Sequence, residues 1–270
     1  MYAHDYAAAV EQAIVARLAR VPREPGWAPR AARCASAAAI RTALRAYNRL
    51  RTTGRERLPL GRPFVIVANH ASHLDTVCVQ AAVPLRMLQR TYAVAAADYF
   101  FDNGRVVRAA AATLIGNALP FARRGAADVR QSLARCRELL ADRSVGNVLI
   151  VYPEGTRATC GAVGPFKRGI GELVAGRDVP VVPCFIDGAL RAWPKGAWLP
   201  RPRRVCLAFG PPRLYAHVQR GKQSAQWIAD DLRRAVLELG RTHGAAAGRD
   251  ARGWRMNDMD LMPALPATSF

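Results

Sequence analysis

The chain has 270 residues and a mass of 29.4 kDa, enough for one large domain or at most two small ones. An apolar fraction of 51% and a mean hydropathy of −0.04 exclude a low-hydrophobicity, unfolded chain and fit a globular protein that is soluble or bound to a surface. Forty Lys and Arg oppose 20 Asp and Glu, for a net charge of +20, and the lysines are only Lys167, Lys195 and Lys222, so the surplus is arginine. Guanidinium forks pair with phosphate and carboxylate, so the partners to consider are an anionic membrane surface, phosphorylated substrates, an acidic protein or nucleic acid; codon bias is the alternative source.

Residues 5–20 read as a helix, closed by the Pro22 to Pro29 linker. A second helical pattern covers 31–51, with Ile40, Leu44, Tyr47 and Leu50 at three- and four-residue steps and Arg41, Arg45, Arg49 and Arg51 between them. Such a basic amphipathic helix suits a headgroup layer or the domain core equally well. From residue 60 strands and helices alternate. Strands are expected at 63–69, 91–97, 147–152, 179–186 and 204–209, and helices near 73–82, 104–116, 126–142, 168–176 and 222–240. This alternation argues for an α/β fold: a mixed, largely parallel sheet covered by helices, with N-terminal amphipathic helices. The division expected is an N-terminal helical segment at 1–52, one domain at 53–240, and a loose tail at 241–270.

The six cysteines contain no Cys-x-x-Cys pair, and Cys78, Cys184 and Cys206 lie in apolar surroundings, as expected of reduced, buried thiols. No apolar run reaches eighteen residues and no secretory leader is recognisable, so a peripheral protein on the cytoplasmic side is expected, without a transmembrane segment.

The segment Asn69-His70-Ala71-Ser72-His73-Leu74-Asp75 follows the apolar strand Pro63 to Ala68. A strand ending in ionisable residues is where α/β proteins carry their chemistry, and a neutral imidazole backed by a carboxylate can take a proton from a hydroxyl. On a regular helix positions five apart diverge by roughly 140°, so His70 and Asp75 meet only if the chain bends between them, with Ser72 as the N-cap of a helix starting near His73. Asp75 would then hold one ring nitrogen of His70 and leave the other free as a base.

The strand at 148–152 runs into Pro153-Glu154-Gly155-Thr156-Arg157, which sets a carboxylate, a hydroxyl and a guanidinium within one turn. That set can hold a glycerol hydroxyl and a phosphate, or be a tight turn with a surface ion pair. Leu119-Pro120-Phe121-Ala122-Arg123-Arg124 offers anion capture or a solvated loop, and Phe166-Lys167-Arg168-Gly169 adds positive charge. The prolines of Val179-Pro180-Val181-Val182-Pro183 suggest an edge or strand-end position, either walling an acyl channel or serving as a plain core strand.

Taken in order, these clusters resemble the four motifs of the glycerolipid acyltransferase superfamily, over about residues 45–215. The resemblance implies that His70 and Asp75 form a catalytic dyad, and that Arg123, Glu154, Gly155, Thr156 and Arg157 bind the acceptor and its phosphate. It implies transfer of a fatty acyl group from acyl-CoA or acyl carrier protein to a hydroxyl of a lyso-phospholipid such as 1-acyl-sn-glycerol-3-phosphate, or of another lyso-lipid, with no metal or cofactor. Two departures stand out. Pro120-Phe121-Ala122 precedes Arg123 where many members have an aliphatic run and Asp, and Tyr152 stands where Phe is more usual. The rival is a metal-dependent hydrolase using His70, His73 and Asp75, which lacks a remote His or Cys cluster to complete a site. Nucleic acid is not expected as a partner, because no helix-turn-helix, zinc-finger or aromatic RNA-binding signature accompanies the charge.

Overall fold

The structure is a computed structural model that describes residues 27–96, 117–122, 125–158, 161–194 and 197–246. The helices expected at 5–20 and 104–116, together with Arg123, lie outside the described residues.

The helices are α1 (Trp27–Tyr47), α2 (Leu74–Ala82), α3 (Ala126–Ala141), α4 (Gly169–Val174), α5 (Ala189–Ala192) and α6 (Lys222–Ala246). The strands are β1 (Arg51–Thr53), β2 (Phe64–Ala68), β3 (Thr91–Ala96), β4 (Asn117–Phe121), β5 (Val148–Val151), β6 (Val181–Asp187) and β7 (Cys206–Phe209). They form one seven-stranded sheet in the order β1-β7-β6-β2-β5-β3-β4. Five strands, β6 through β4 in that order, run parallel; β7 is antiparallel to β6, and β1 is parallel to β7. The mixed, largely parallel sheet is the one the alternation implies.

All five residues of β2 are buried, as a central parallel strand covered on both faces requires. Alternate side chains go to opposite faces. Phe64 and Ile66 pack with Leu44, Leu74, Cys78 and Val79 from α1 and α2. Val65 and Val67 pack with Leu133, Leu140, Ile170, Leu173, Ile228 and Leu232 from α3, α4 and α6.

Several expectations are corrected. The second helix ends at Tyr47, short of residue 51, because Asn48 turns inward: its side-chain amide donates to the carbonyls of Arg201 (3.0 Å) and Arg203 (3.2 Å), and Arg49 takes a left-handed φ of 46°. Near its C-terminus α1 packs Ile40 and Leu44 on the core, and Arg41 Nη2 donates to Val83 O at 2.6 Å. The strand carrying Pro183 is interior, between β7 and β2. Proline is accommodated there because Pro183 faces the point where the β6–β7 ladder stops, with its carbonyl accepting from Gly210 N at 2.8 Å. Gly240 does not end the last helix, which continues to Ala246; a Cβ at that position would sit 3.0 Å from the Phe185 ring, so glycine lets α6 approach β6.

The segment after β7 is tied to α6 by Asp231. Its carboxylate accepts two bonds from Arg213 Nη1, at 2.7 and 2.6 Å, and one from Tyr215 Oη at 2.7 Å. Burial raises the Asp231 pKa, but the bonds from Arg213 and Tyr215 outweigh it and hold the carboxyl below its ordinary value. A depressed carboxylate contributes stability above the unfolded pKa and loses it as pH falls through the folded value. Asp231→Asn is therefore expected to lower stability by about 1–3 kcal/mol at neutral pH, with the gap to wild type closing below roughly pH 4. Urea unfolding at the two pH values checks this, and a gap independent of pH would contradict it.

Candidate active site

β2 is followed by Asn69, whose side chain stitches the strand end to β6: Nδ2 donates to Ile186 O (3.0 Å) and Oδ1 accepts from Ile186 N (2.8 Å). The chain then bends sharply. His73, not Ser72, is the residue capping α2, and its side chain makes no cap bond. Ser72 Oγ instead accepts from Leu74 N (3.2 Å) and donates to Trp193 O (2.7 Å), fastening the turn to the segment after α5.

Asp75 lies in the first turn of α2, where the unpaired N–H groups favour a negative charge. Its Oδ2 accepts from Ala71 N at 2.7 Å, from Ser72 N at 2.8 Å and from His70 Nδ1 at 2.9 Å. The bend demanded by the five-residue spacing is thus made by the carboxylate itself. Donation of the Nδ1 proton to Asp75 leaves the Nε2 lone pair of His70 free. The Asp75 side chain is only 1% exposed and that of His70 20%, so the carboxylate is sealed while the imidazole is reachable. The other carboxylate oxygen, Oδ1, is buried with no hydrogen-bond partner among the described residues.

The Tyr152 ring stacks on His70, with centroids 4.2 Å apart and planes 21° from parallel, forming one wall of the site. Its hydroxyl is sealed from solvent; burial, and then the charge of Asp75, push its pKa well up. At this position the bulk of the ring orients the imidazole.

β5 lies beside β2 and in parallel, so its C-terminal turn meets the first one. Glu154 Oε1 accepts from His70 N at 2.8 Å, Glu154 Oε2 accepts from Gly164 N at 2.9 Å, and Ala158 N donates to His70 O at 2.8 Å. Both oxygens of Glu154, expected from the resemblance to contact an acceptor, are engaged by backbone amides, so the side chain is a strut between the turns. Burial pushes its pKa up despite those amides. Gly155 has φ +70°, and a Cβ there would lie 2.7 Å from Lys167 Nζ, so the ammonium group rests against this turn. Thr156 is exposed and Arg157 partly so, and with Lys167 they bring two cations and a hydroxyl to the turn that flanks His70. From the sequence Lys167 was only added charge; its place against Gly155 goes with the bond that Lys167 N donates to Pro153 O at 2.9 Å. Trp193 carried no sequence signal at all.

His73 meets the Trp193 ring edge-on at 6.1 Å, and among the described residues no group of three His, Cys, Asp or Glu is arranged to hold a metal ion. The ligand set His70, His73 and Asp75 is therefore not assembled.

A parallel α/β sheet with a His-x4-Asp pair at the end of one strand and a Pro-Glu-Gly-Thr-Arg turn at the end of its neighbour defines a class, and the chain belongs to it: residues 49–187 match the Acyltransferase family. The 1-acyl-sn-glycerol-3-phosphate acyltransferase of Limnanthes douglasii is 28% identical over 150 residues, covering 55% of this chain and 49% of that protein. The chloroplastic enzyme BAT2 of the same name from Brassica napus is 30% identical over 186 residues, covering 68% and 49%. The chain spans about half the length of these curated relatives. The crystal structure of the 1-acyl-sn-glycerophosphate acyltransferase PlsC from Thermotoga maritima shares the fold, with a TM-score of 0.56, 24% identity, and coverage of 76% of this chain and 79% of that one.

Glu154→Gln replaces an acceptor of two amides by a group that can accept only one. It is expected to lower stability by about 1–3 kcal/mol through the amide left unpaired. Denaturant unfolding measures this, and wild-type stability would show that the two bonds are not structural.

Proposed function

We propose that the chain is an O-acyltransferase that moves a fatty acyl group from a thioester donor, acyl-CoA or acyl carrier protein, to the free hydroxyl of a lyso-phospholipid such as 1-acyl-sn-glycerol-3-phosphate. The observation that carries this reading is the 2.9 Å bond between His70 Nδ1 and an Asp75 carboxylate held by two further amides. His70 Nε2 takes the hydroxyl proton as that oxygen attacks the thioester carbonyl. The new C–O bond forms, the C–S bond breaks, and the departing sulfur receives the proton from Nε2. Asp75 holds the ring and offsets the positive charge it carries between the two transfers.

Transfer is direct, without an acyl-enzyme. Ser72 Oγ is committed to Trp193 O and Leu74 N, and Cys78 and Cys184 are buried, with pKa values driven upward first by burial and then by the charge of Asp75. Thr156, Arg157 and Lys167 hold the acceptor phosphate, Gly155 lets it approach the backbone, and Arg123 contributes to holding it. This reading draws on the names of the relatives, on the cations flanking His70, and on the net charge of +20, which suits work at an anionic membrane surface on the cytoplasmic side. No helix among the described residues is long and apolar enough to cross a membrane.

With a panel of lyso-phospholipids and both donor types, product detection by mass spectrometry should show His70→Ala slowing transfer by roughly a thousandfold while remaining folded by circular dichroism. Retained turnover in that variant would overturn the dyad. Arg157→Ala and Lys167→Ala should chiefly raise KM for a phosphate-bearing acceptor, by roughly tenfold each. A loss confined to kcat would remove both from phosphate binding.

A further inference from the structure

The connection from α5 to β7 crosses the end of the sheet that carries His70. Topology compels this. β6 is parallel to β2 and ends at the same side, and β7 is antiparallel to β6, so it begins there. β1 is parallel to β7, which brings the C-terminus of α1 to the same end. The hydrogen bonds follow from this arrangement. Tyr47 Oη donates to Pro200 O at 3.1 Å, Asn48 Nδ2 to the carbonyls of Arg201 and Arg203, and Arg49 Nη2 to Pro202 O at 3.2 Å. On the other side Ser72 Oγ donates to Trp193 O at 2.7 Å, and Trp193 Nε1 donates to Ala197 O at 2.9 Å. The connection is therefore braced between α1 and the turn that holds His70.

On this braced frame Trp198 is 81% exposed and Leu199 63%. Two adjacent large apolar side chains held in water next to a reactive site are unfavourable unless something covers them. Exposed Arg201, Arg203 and Arg204 follow them in the chain, and exposed Arg49 reaches the same segment through its bond to Pro202 O. The segments 45–51 and 188–205 contain no Asp or Glu, and Asp187, just before the second of them, is paired with Arg191 at 3.2 Å. The patch thus combines an indole and a leucine with a rim of one sign, formed by the side chain best matched to phosphate oxygens.

We propose that Trp198 and Leu199 insert into the acyl layer of an anionic membrane while the surrounding arginines contact lipid phosphates, which sets the opening at His70 against the bilayer surface. A lipid surface fits better than an acidic protein because the apolar residues stand out in solvent within a rim of arginines, and a bilayer offers an apolar layer beneath a sheet of phosphates. The proposal rests on the acyltransferase reading for its purpose, since the lyso-lipid acceptor would be drawn from that surface, but its physical basis is independent of the reaction.

Flotation with phosphatidylcholine vesicles, with and without phosphatidic acid, tests it. The wild-type chain should float with the phosphatidic acid vesicles. Trp198→Ser/Leu199→Ser should weaken that partitioning by about tenfold to a hundredfold with an unchanged melting temperature, because both side chains are already in water. Arg201→Gln/Arg203→Gln/Arg204→Gln, which keeps the backbone carbonyls that Asn48 holds, should abolish the preference for phosphatidic acid. Wild-type-like partitioning of the Trp198/Leu199 variant overturns the docking, as does a wild-type chain that ignores anionic vesicles. Turnover of a monomeric, water-soluble lysophosphatidate separates this proposal from the functional one. Normal turnover with partitioning insensitive to Trp198 and Leu199 removes the docking alone, whereas absent turnover with the expected partitioning removes only the acyltransferase reading.

Discussion

Asp75 Oδ2 gathers three N–H donors, from His70, Ala71 and Ser72, onto one oxygen, and the geometry of the site follows from that convergence. A residue five positions along a continuous helix would face away from its partner. By drawing two successive amides toward itself, the carboxylate makes the chain bend and brings the imidazole within 2.9 Å. The same contacts pair the amides of Ala71 and Ser72 in the turn that precedes α2. Charge-assisted bonds to a buried acceptor are stronger than neutral ones, so the bend, the orientation of the ring and the sealing of the acid are one physical event.

That event is supported from three sides by elements remote in sequence. Asn69 anchors the strand end to β6, Glu154 anchors His70 N to the turn after β5, and Trp193 O receives the hydroxyl of Ser72. The parallel order β6-β2-β5 makes these anchors possible, because strands running the same way deliver their C-terminal turns to one end of the sheet. The reversal at β7 adds a further consequence: the connection leading into it must also cross that end. Trp198 and Leu199 thereby come to the same end of the sheet as His70, although they are more than a hundred residues away in the chain.

The arginine surplus has more than one location in the fold. Arg213 is spent on Asp231, Arg41 on a backbone carbonyl, and Arg62 and Arg143 on Asp178. Arg201, Arg203 and Arg204, which follow Trp198 and Leu199, are exposed in a segment without a carboxylate, where a cation can meet an external anion. Lys167, one of three lysines in the chain, rests against Gly155 beside the His70 turn. Net charge alone did not distinguish these roles; the partners around each cation do.

Much was legible without coordinates. The buried strand 64–68, its parallel neighbours and the flanking helices follow from β-branched runs and helical periodicity, which report local geometry directly. The contact between His70 and Asp75 was legible because the two lie five residues apart, so a single bend decides whether they meet. What the amino-acid order could not reveal depended on which distant segments become neighbours. Pro183 suggested an edge or a strand end and lies within an interior strand, because only the pairing partner shows which side of the strand needs a donor. The bracing by Glu154 was hidden as well, because its partners are amides of two other segments. Local pattern thus determined the strand-and-helix alternation and the His–Asp pair, while sheet order and strand direction, set by packing across the whole domain, decided what surrounds that pair and which charges are left free.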